Sequence, residues 1–195
     1  MINRISLLFF APIFLFFACT DYELPKQKGF LRIEFEEPQY KKIEKINSLS
    51  DFYYNTAVVK MKSKDDNNLS LNYVDLNLSI DLTHTKIYNS NDLNNRMVDF
   101  NLILDTHAKK SNGLFLKEYE NKTNNVFGKI YEIRGNVASP IQFYLTDSLS
   151  NFLRGSLNLN SSAKYDSIYP SIQYIKNDIL VLFETINWKY NNETK

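Results

Sequence analysis

The chain has 195 residues, 44% of them hydrophobic and 23% charged, with 23 basic side chains against 22 acidic ones. That is enough apolar material for one domain with a sizeable core. Charge this even, interspersed without blocks, argues against a nucleic-acid binder, which would normally be basic.

The first element is a leader. Arg4 gives a short basic start, and Ile5 to Phe17 is a thirteen-residue apolar run. Ala18 and Cys19 follow, and polarity begins with Thr20 and Asp21. This is the layout of a secretory signal peptide. The run is shorter than the about 20 apolar residues a spanning helix needs, and Pro12 interrupts it. Cys19, the only cysteine, resembles the acceptor of a bacterial lipobox, although Phe16 stands where Leu is usual. On that reading residues 1–18 are removed and the Cys19 thiol carries a lipid. No thiol is then left for a disulfide, a nucleophile or a zinc site. An ordinary signal peptide with a stray cysteine and an uncleaved anchor are the alternatives. Residues 19–28 read as a polar tether that keeps the following domain within roughly 35 Å of its membrane.

Residues 29–190 read as a single α+β domain, and 191–195 as a polar tail. Phe30 to Glu36 alternates like a half-buried strand that ends at Pro38. Phe52 to Met61 is β-rich, and Lys64 to Asn68 is a polar turn. Leu69 to Ile80 alternates with a change of phase at Val74–Asp75, read as a bulge. A helix is predicted from Ser90 to Lys109, capped by Asn89 or Ser90, with Leu93, Met97, Phe100, Leu104 and Ala108 on one face. Four short strands follow, 114–119, 126–134, 141–146 and 152–159. Gly135–Asn136 and Asp147–Ser148 mark hairpins, so the four predict an antiparallel meander. The last helix carries Ile168, Ile172, Ile175, Ile179, Leu182 or Phe183, and Ile186 at three- and four-residue spacing. Its expected cap is Asp166 or Ser167, with Pro170 in the first turn. Gln173, Lys176, Asn177 and Glu184 take its opposite face. The expected architecture is an antiparallel β-sheet covered by two main helices, similar in element order to PsbP and Mog1-like folds.

Little in this pattern points to catalysis. The two histidines, His84 and His107, have no H-x-x-x-H or H-E-x-x-H spacing and read as solvated or capping groups. No nucleophile elbow or phosphate-binding loop is present. Carboxylate pairs such as Asp65–Asp66 fall in turns, where solvated charge is the ordinary reading. No metal, cofactor or small-molecule substrate is expected. The stretch from Gly128 to Asp147 is the best candidate for an interaction surface. Tyr131, Arg134, Asn136, Gln142 and Tyr144 are expected to gather near one hairpin, and Arg and Tyr are enriched at interface hot spots. A solvent-facing hairpin held by ordinary cross-strand pairs, one of them at Glu132, is the alternative.

The same stretch carries a resemblance. Leu24–Pro25–Lys26, Leu31–Arg32–Ile33–Glu34, Pro38–Gln39–Tyr40, Gly135–Asn136–Val137–Ala138–Ser139, Gln142 to Ser148, Tyr165–Asp166–Ser167–Ile168 and Trp188 resemble the gliding-motility lipoprotein GldD family. The likeness is dense over residues 125–190, thinner over 20–45 and loose between. It implies an envelope lipoprotein that supports gliding and the assembly or stability of the type IX secretion machinery. It also implies a lipid anchor at Cys19, a place at the outer membrane facing the periplasm, and envelope proteins of that apparatus as partners. No catalytic residue carries over, so the expectation is a non-enzymatic protein docking through Arg134, Asn136, Gln142 and Tyr144. A ligand- or lipid-binding lipoprotein with a cleft between sheet and helices is the alternative. A hydrolase with converging carboxylates is a weaker one.

Overall fold

The computed structural model describes residues 29, 32–43, 50–161 and 164–189. The leader, Cys19, the tether and the tail 191–195 lie outside these residues. The elements are β1 (Tyr40–Lys42), β2 (Tyr53–Asn55), β3 (Val59–Ser63), β4 (Asn68–Tyr73), β5 (Leu78–Lys86), α1 (Ser90–Ala108), β6 (Gly113–Asn121), β7 (Val126–Arg134), β8 (Ile141–Thr146), β9 (Asn151–Leu159) and α2 (Tyr165–Thr185). β1 and β2 form a small antiparallel ribbon. The other seven strands make one antiparallel sheet in the order β3-β4-β5-β9-β8-β7-β6. The predicted α+β class and meander are therefore present. α1 carries the chain from central β5 to edge strand β6, and the meander then walks back until β9 pairs with β5.

Strand alternation divides the apolar residues between two faces. Across one face run the aligned residues Leu71, Ile80, Leu157, Ile141 and Glu132, and beside them Leu69, Leu82, Gly155, Phe143 and Ile130. Gly155 is needed there, because a Cβ would run into the Phe143 ring. α2 lies on this face. Its Ile172, Ile175, Ile179, Leu182 and Phe183 are buried in one cluster with those strand residues. The predicted isoleucine stripe is the core-facing stripe.

On the other face, α1 seats Phe100 and Leu104 over Ile133, Tyr144 and Phe152. Asn89 caps it as predicted, its side chain accepting from the Asp92 amide at 2.9 Å. The rest of that face is polar. Ser70, Asn72, Ser79, Asp81, Ser156 and Asn158 alternate with the core residues of β4, β5 and β9. Hydrogen bonds link them side chain to side chain, as from Asn158 to Asp81 at 2.9 Å.

Four local expectations change. Residues 32–36 are not a strand; Phe35 stacks on Tyr174 at 4.5 Å, and the Glu36 carbonyl accepts from the Tyr174 hydroxyl. The alternation there seats an irregular segment on α2. The phase change at Val74–Asp75 is a 3₁₀ turn closed by Asn77 at φ 52°, so the segment is a hairpin of β4 and β5 and not one bulged strand. The 52–61 segment divides into β2 and β3. α2 begins at Tyr165, so neither Asp166 nor Ser167 caps it and Pro170 falls in the second turn. The missing cap comes from another loop: the Asn136 side chain accepts from the Tyr165 amide at 3.0 Å.

Candidate functional site

The expected docking residues divide between two faces. Arg134 and Asn136 are exposed at the β7–β8 corner. The guanidinium of Arg134 lies 4.0 Å over the Phe115 ring and pairs with Glu132 at 3.3 Å. Gln142 and Tyr144 stand on the opposite face beneath α1, only 2% and 5% exposed, and Phe100 meets Tyr144 edge to face at 5.2 Å. The period of two dictates this: Tyr131 aligns with Gln142 across β7 and β8, whereas Glu132 and Arg134 face the other way. One surface made of all four residues does not exist. A Tyr144→Ala variant would test packing.

Glu132 is the residue that organises the corner. It is buried at the end of a row of core residues and receives Lys176 from α2 at 2.6 Å, Arg134, and the Tyr165 hydroxyl. Burial pushes its carboxyl up, but the Lys176 and Arg134 cations outweigh burial and hold it below the ordinary range. Lys176, assigned from the sequence to the solvent face, is in fact the partner of a buried acid. A second buried acid, Asp178, ties the N-terminal ribbon to α2. Tyr40 and Tyr73 donate to it at 2.6 and 2.8 Å, and Asn55 at 3.2 Å. Burial raises its pKa in spite of these three donors.

A cleft of about 820 Å³ opens at the end of the sheet where β5 leaves for α1. Its walls come from the β3–β4 turn, the last residues of β5, the first turns of α1 and Lys189. His84 is one of the lining residues, yet is only 4% exposed. Its Nε2 lies 2.9 Å from Asn151 Oδ1. Asn151 in turn donates through Nδ2 to Asp147 Oδ2 at 2.7 Å, which fixes the orientation of the amide. The Oδ1 atom of Asp147 takes the backbone amides of Leu149, Ser150 and Asn151 at 2.8–2.9 Å. Burial pushes Asp147 up, but this ring of donors wins and keeps it ionised. Burial pushes His84 down and Lys86 adds to the effect, so the ring is neutral at neutral pH. Since Asn151 Oδ1 can only accept, Nε2 carries the proton and Nδ1 is a bare acceptor. That Nδ1 has no partner among the described residues. The sequence expectation of a solvated or capping histidine fails at His84. His107, partly buried in the last turn of α1, is likewise pushed down by burial.

The sequence showed Asp147 as a turn former. It gave no sign that His84 would meet Asn151, 67 residues away. Among the described residues, no group of three His, Cys, Asp or Glu is placed to hold a metal ion, and no helix is long and apolar enough to cross a membrane.

Fold and site define an α+β protein with a closed core on one face of its sheet and a polar cleft at the sheet's end. The family model described as gliding motility lipoprotein GldD matches residues 20–188, nearly the whole chain, and the chain belongs to that family. Membership makes it a lipoprotein associated with gliding motility and the cell envelope. No curated protein and no solved structure matches the chain, so the expected likeness to PsbP and Mog1-like folds is not shown.

Proposed function

We propose that this protein is a non-enzymatic envelope lipoprotein, acylated at Cys19, that supports the assembly or stability of the type IX secretion machinery on which gliding depends. The observation that carries the reading is the family match, which begins one residue past Cys19 and ends at Trp188 in the folded body. A tether of ten residues from Cys19 to Gly29 reaches at most roughly 35 Å. It holds the domain against one membrane face, the outer membrane on its periplasmic side. Confinement of this kind raises its effective concentration for other membrane-bound parts. Arg134 and Asn136 are the docking residues available at the β7–β8 corner, while Gln142 and Tyr144 act only by shaping the sheet behind them. A lipid-binding role would call for an apolar cavity, whereas the cleft at His84 is lined by polar and charged side chains.

The test is complementation of a strain that lacks the protein. Wild type should restore gliding and secreted cargo and should cross-link in cells to envelope components of the apparatus. Cys19→Ser should accumulate in soluble fractions and restore neither function. Full restoration by a soluble Cys19→Ser protein would overturn the anchored reading. Normal secretion in the strain without the protein would overturn the secretion role.

A further inference from the structure

The seven-stranded sheet has two edges, and only one of them is guarded. At β3 the edge is five residues long and carries Lys60 and Lys62, the kind of charge that keeps edge strands from pairing. At β6 it runs nine residues, Gly113–Asn121, with no proline and in unbroken register with β7. Among the described residues no strand covers its outer side. Alternate amides and carbonyls of β6 are therefore open to another strand. Leu114, Phe115 and Leu116 follow one another on this edge and are 44%, 49% and 50% exposed. Phe115 aligns with Glu132 and stands on the α2 face. Leu114 and Leu116 align with Ile133 and Tyr131 and stand on the α1 face. Both faces of the open edge are apolar at the same place.

We propose that β6 pairs antiparallel with β6 of a second copy of this chain, across a two-fold axis at Phe115. The strand's own sequence names that occupant. With the axis at Phe115, this ring faces its copy, Leu114 faces Leu116, and Lys117 faces Gly113. The apolar residues of each edge then cover those of the other, and no charge meets its like. An axis at Lys117 or at Glu118 would set that charge against itself, and one at Tyr119 would set Glu118 against Glu120. An axis at Leu116 would spend Leu114 on Glu118 and Phe115 on Lys117.

The place where the chain enters the domain fits the same symmetry. A two-fold axis between antiparallel strands of one continuous sheet stands perpendicular to that sheet, so the α2 faces of both copies look the same way. The chain enters on that face, where Phe35 stacks on Tyr174 of α2. Both tethers then leave from one side and can reach one membrane. This point rests on the anchored reading of Cys19, whereas the strand pairing does not. The arrangement also closes: it uses both open edges and leaves the lysine-guarded β3 at each end of the joined sheet, so it gives a dimer and not a fibre. A contact this short falls below the about 1,200–2,000 Å² of stable interfaces. The dimer is therefore weak in solution, and confinement to a membrane supplies the concentration it needs. Arg134, 4.0 Å over the Phe115 ring, would then flank the axis in both copies.

The test uses the full-length acylated protein in phosphatidylcholine vesicles, with flotation of the vesicles reporting the anchor by itself. Phe115→Cys should give a disulfide-linked dimer on mild oxidation, because directly opposed residues of antiparallel strands hold their Cβ atoms about 4.5–5.5 Å apart. Lys117→Cys would stand about 13 Å from its copy and should cross-link at least about tenfold less. Adding Leu114→Lys and Leu116→Lys to Phe115→Cys sets cations against each other and should lower the cross-link about tenfold with the melt unchanged, since both positions are half exposed. The unsubstituted protein gives a second measure: β6 amides should gain protection from hydrogen exchange as its density on the vesicles rises, while those of β3 do not. Floated protein with no dimer from Phe115→Cys overturns the proposal. So does equal cross-linking from Lys117→Cys, or β6 exchange that ignores density. A protein that does not float contradicts the anchor instead. The same substitutions are then made in a Cys19→Ser background at about 1 mM in solution, where the same cross-links decide for or against the dimer.

Discussion

The two helices are of similar length but hold to the sheet in different ways. α2 buries seven residues, among them Ile172, Ile175, Ile179, Leu182 and Phe183, and adds two polar locks, Lys176 on Glu132 and the Asp178 cluster. α1 buries only Phe100 and Leu104, and it leaves Val98 and Leu102 largely exposed on its outer side. One face of the sheet is a closed core, and the other is a polar surface with a helix resting across part of it. Stability is therefore concentrated on the α2 side.

The strongest way to break this comparison is a charge in the α2 interface. Ile175 is fully buried, and an unpaired carboxylate there costs several kcal/mol. That is a large part of a typical stability of about 5–15 kcal/mol. Ile175→Asp should leave no cooperative thermal transition, whereas Asn177→Asp, two positions on and exposed, should melt like wild type. Lys176→Asp belongs with the damaging changes, because it sets a second carboxylate against buried Glu132. Similar melts for Ile175→Asp and Asn177→Asp would mean that α2 is not the clamp.

A smaller effect is expected across the sheet. Phe100→Ala removes the main anchor of α1, a change that costs about 3–5 kcal/mol in a rigid core. With so few other anchors, α1 can loosen alone, and the measured global loss should fall below that range. Hydrogen exchange should show α1 amides losing protection while those of α2 keep theirs. Phe183→Ala should instead lower protection throughout the sheet. Equal, global losses for both would show that the two faces form one cooperative unit.

The α2 side was the more legible because a single signal governs it. Isoleucines three and four apart must share a helical face, and the meander's turn residues set the strands on which that face lies. Phe30 to Glu36 misled because alternation records only which side chains are buried, and Phe35 finds its partner in the Tyr174 ring without any strand pairing. The candidate site was harder for a related reason. Arg134 and Tyr144 look alike as interface residues, yet strand parity sends one to the surface and the other under Phe100. His84 stands in β5, Asn151 opens β9 and Asp147 lies in the turn before it, and these meet only after the chain has crossed the sheet with α1. No local pattern marks that meeting. Lys176 looked solvated because its partner, Glu132, sits at the end of an apolar row in another strand.

The smallest effect tests whether His84 is bound into the cleft wall as described. Burial holds its folded pKa below the ordinary 6.5. The unfolded chain therefore binds the proton more readily, and stability should fall as pH drops below about 6.5, by no more than about 1.4 kcal/mol per pH unit. Carboxylates with depressed values, Glu132 and Asp147, lose their contribution only at lower pH, below about 4.5. Asp178 acts with the opposite sign, since its raised value means that protonation favours the fold. His107, also lowered by burial, adds a slope of its own. The difference between wild type and His84→Gln removes both of those contributions, because both proteins carry them. Urea unfolding from pH 7.5 to 5 should show a steeper loss for wild type than for His84→Gln, with His107→Gln keeping most of the wild-type slope. Parallel curves for wild type and His84→Gln would mean that the imidazole gains a proton without penalty. Nδ1 would then already have an acceptor nearby.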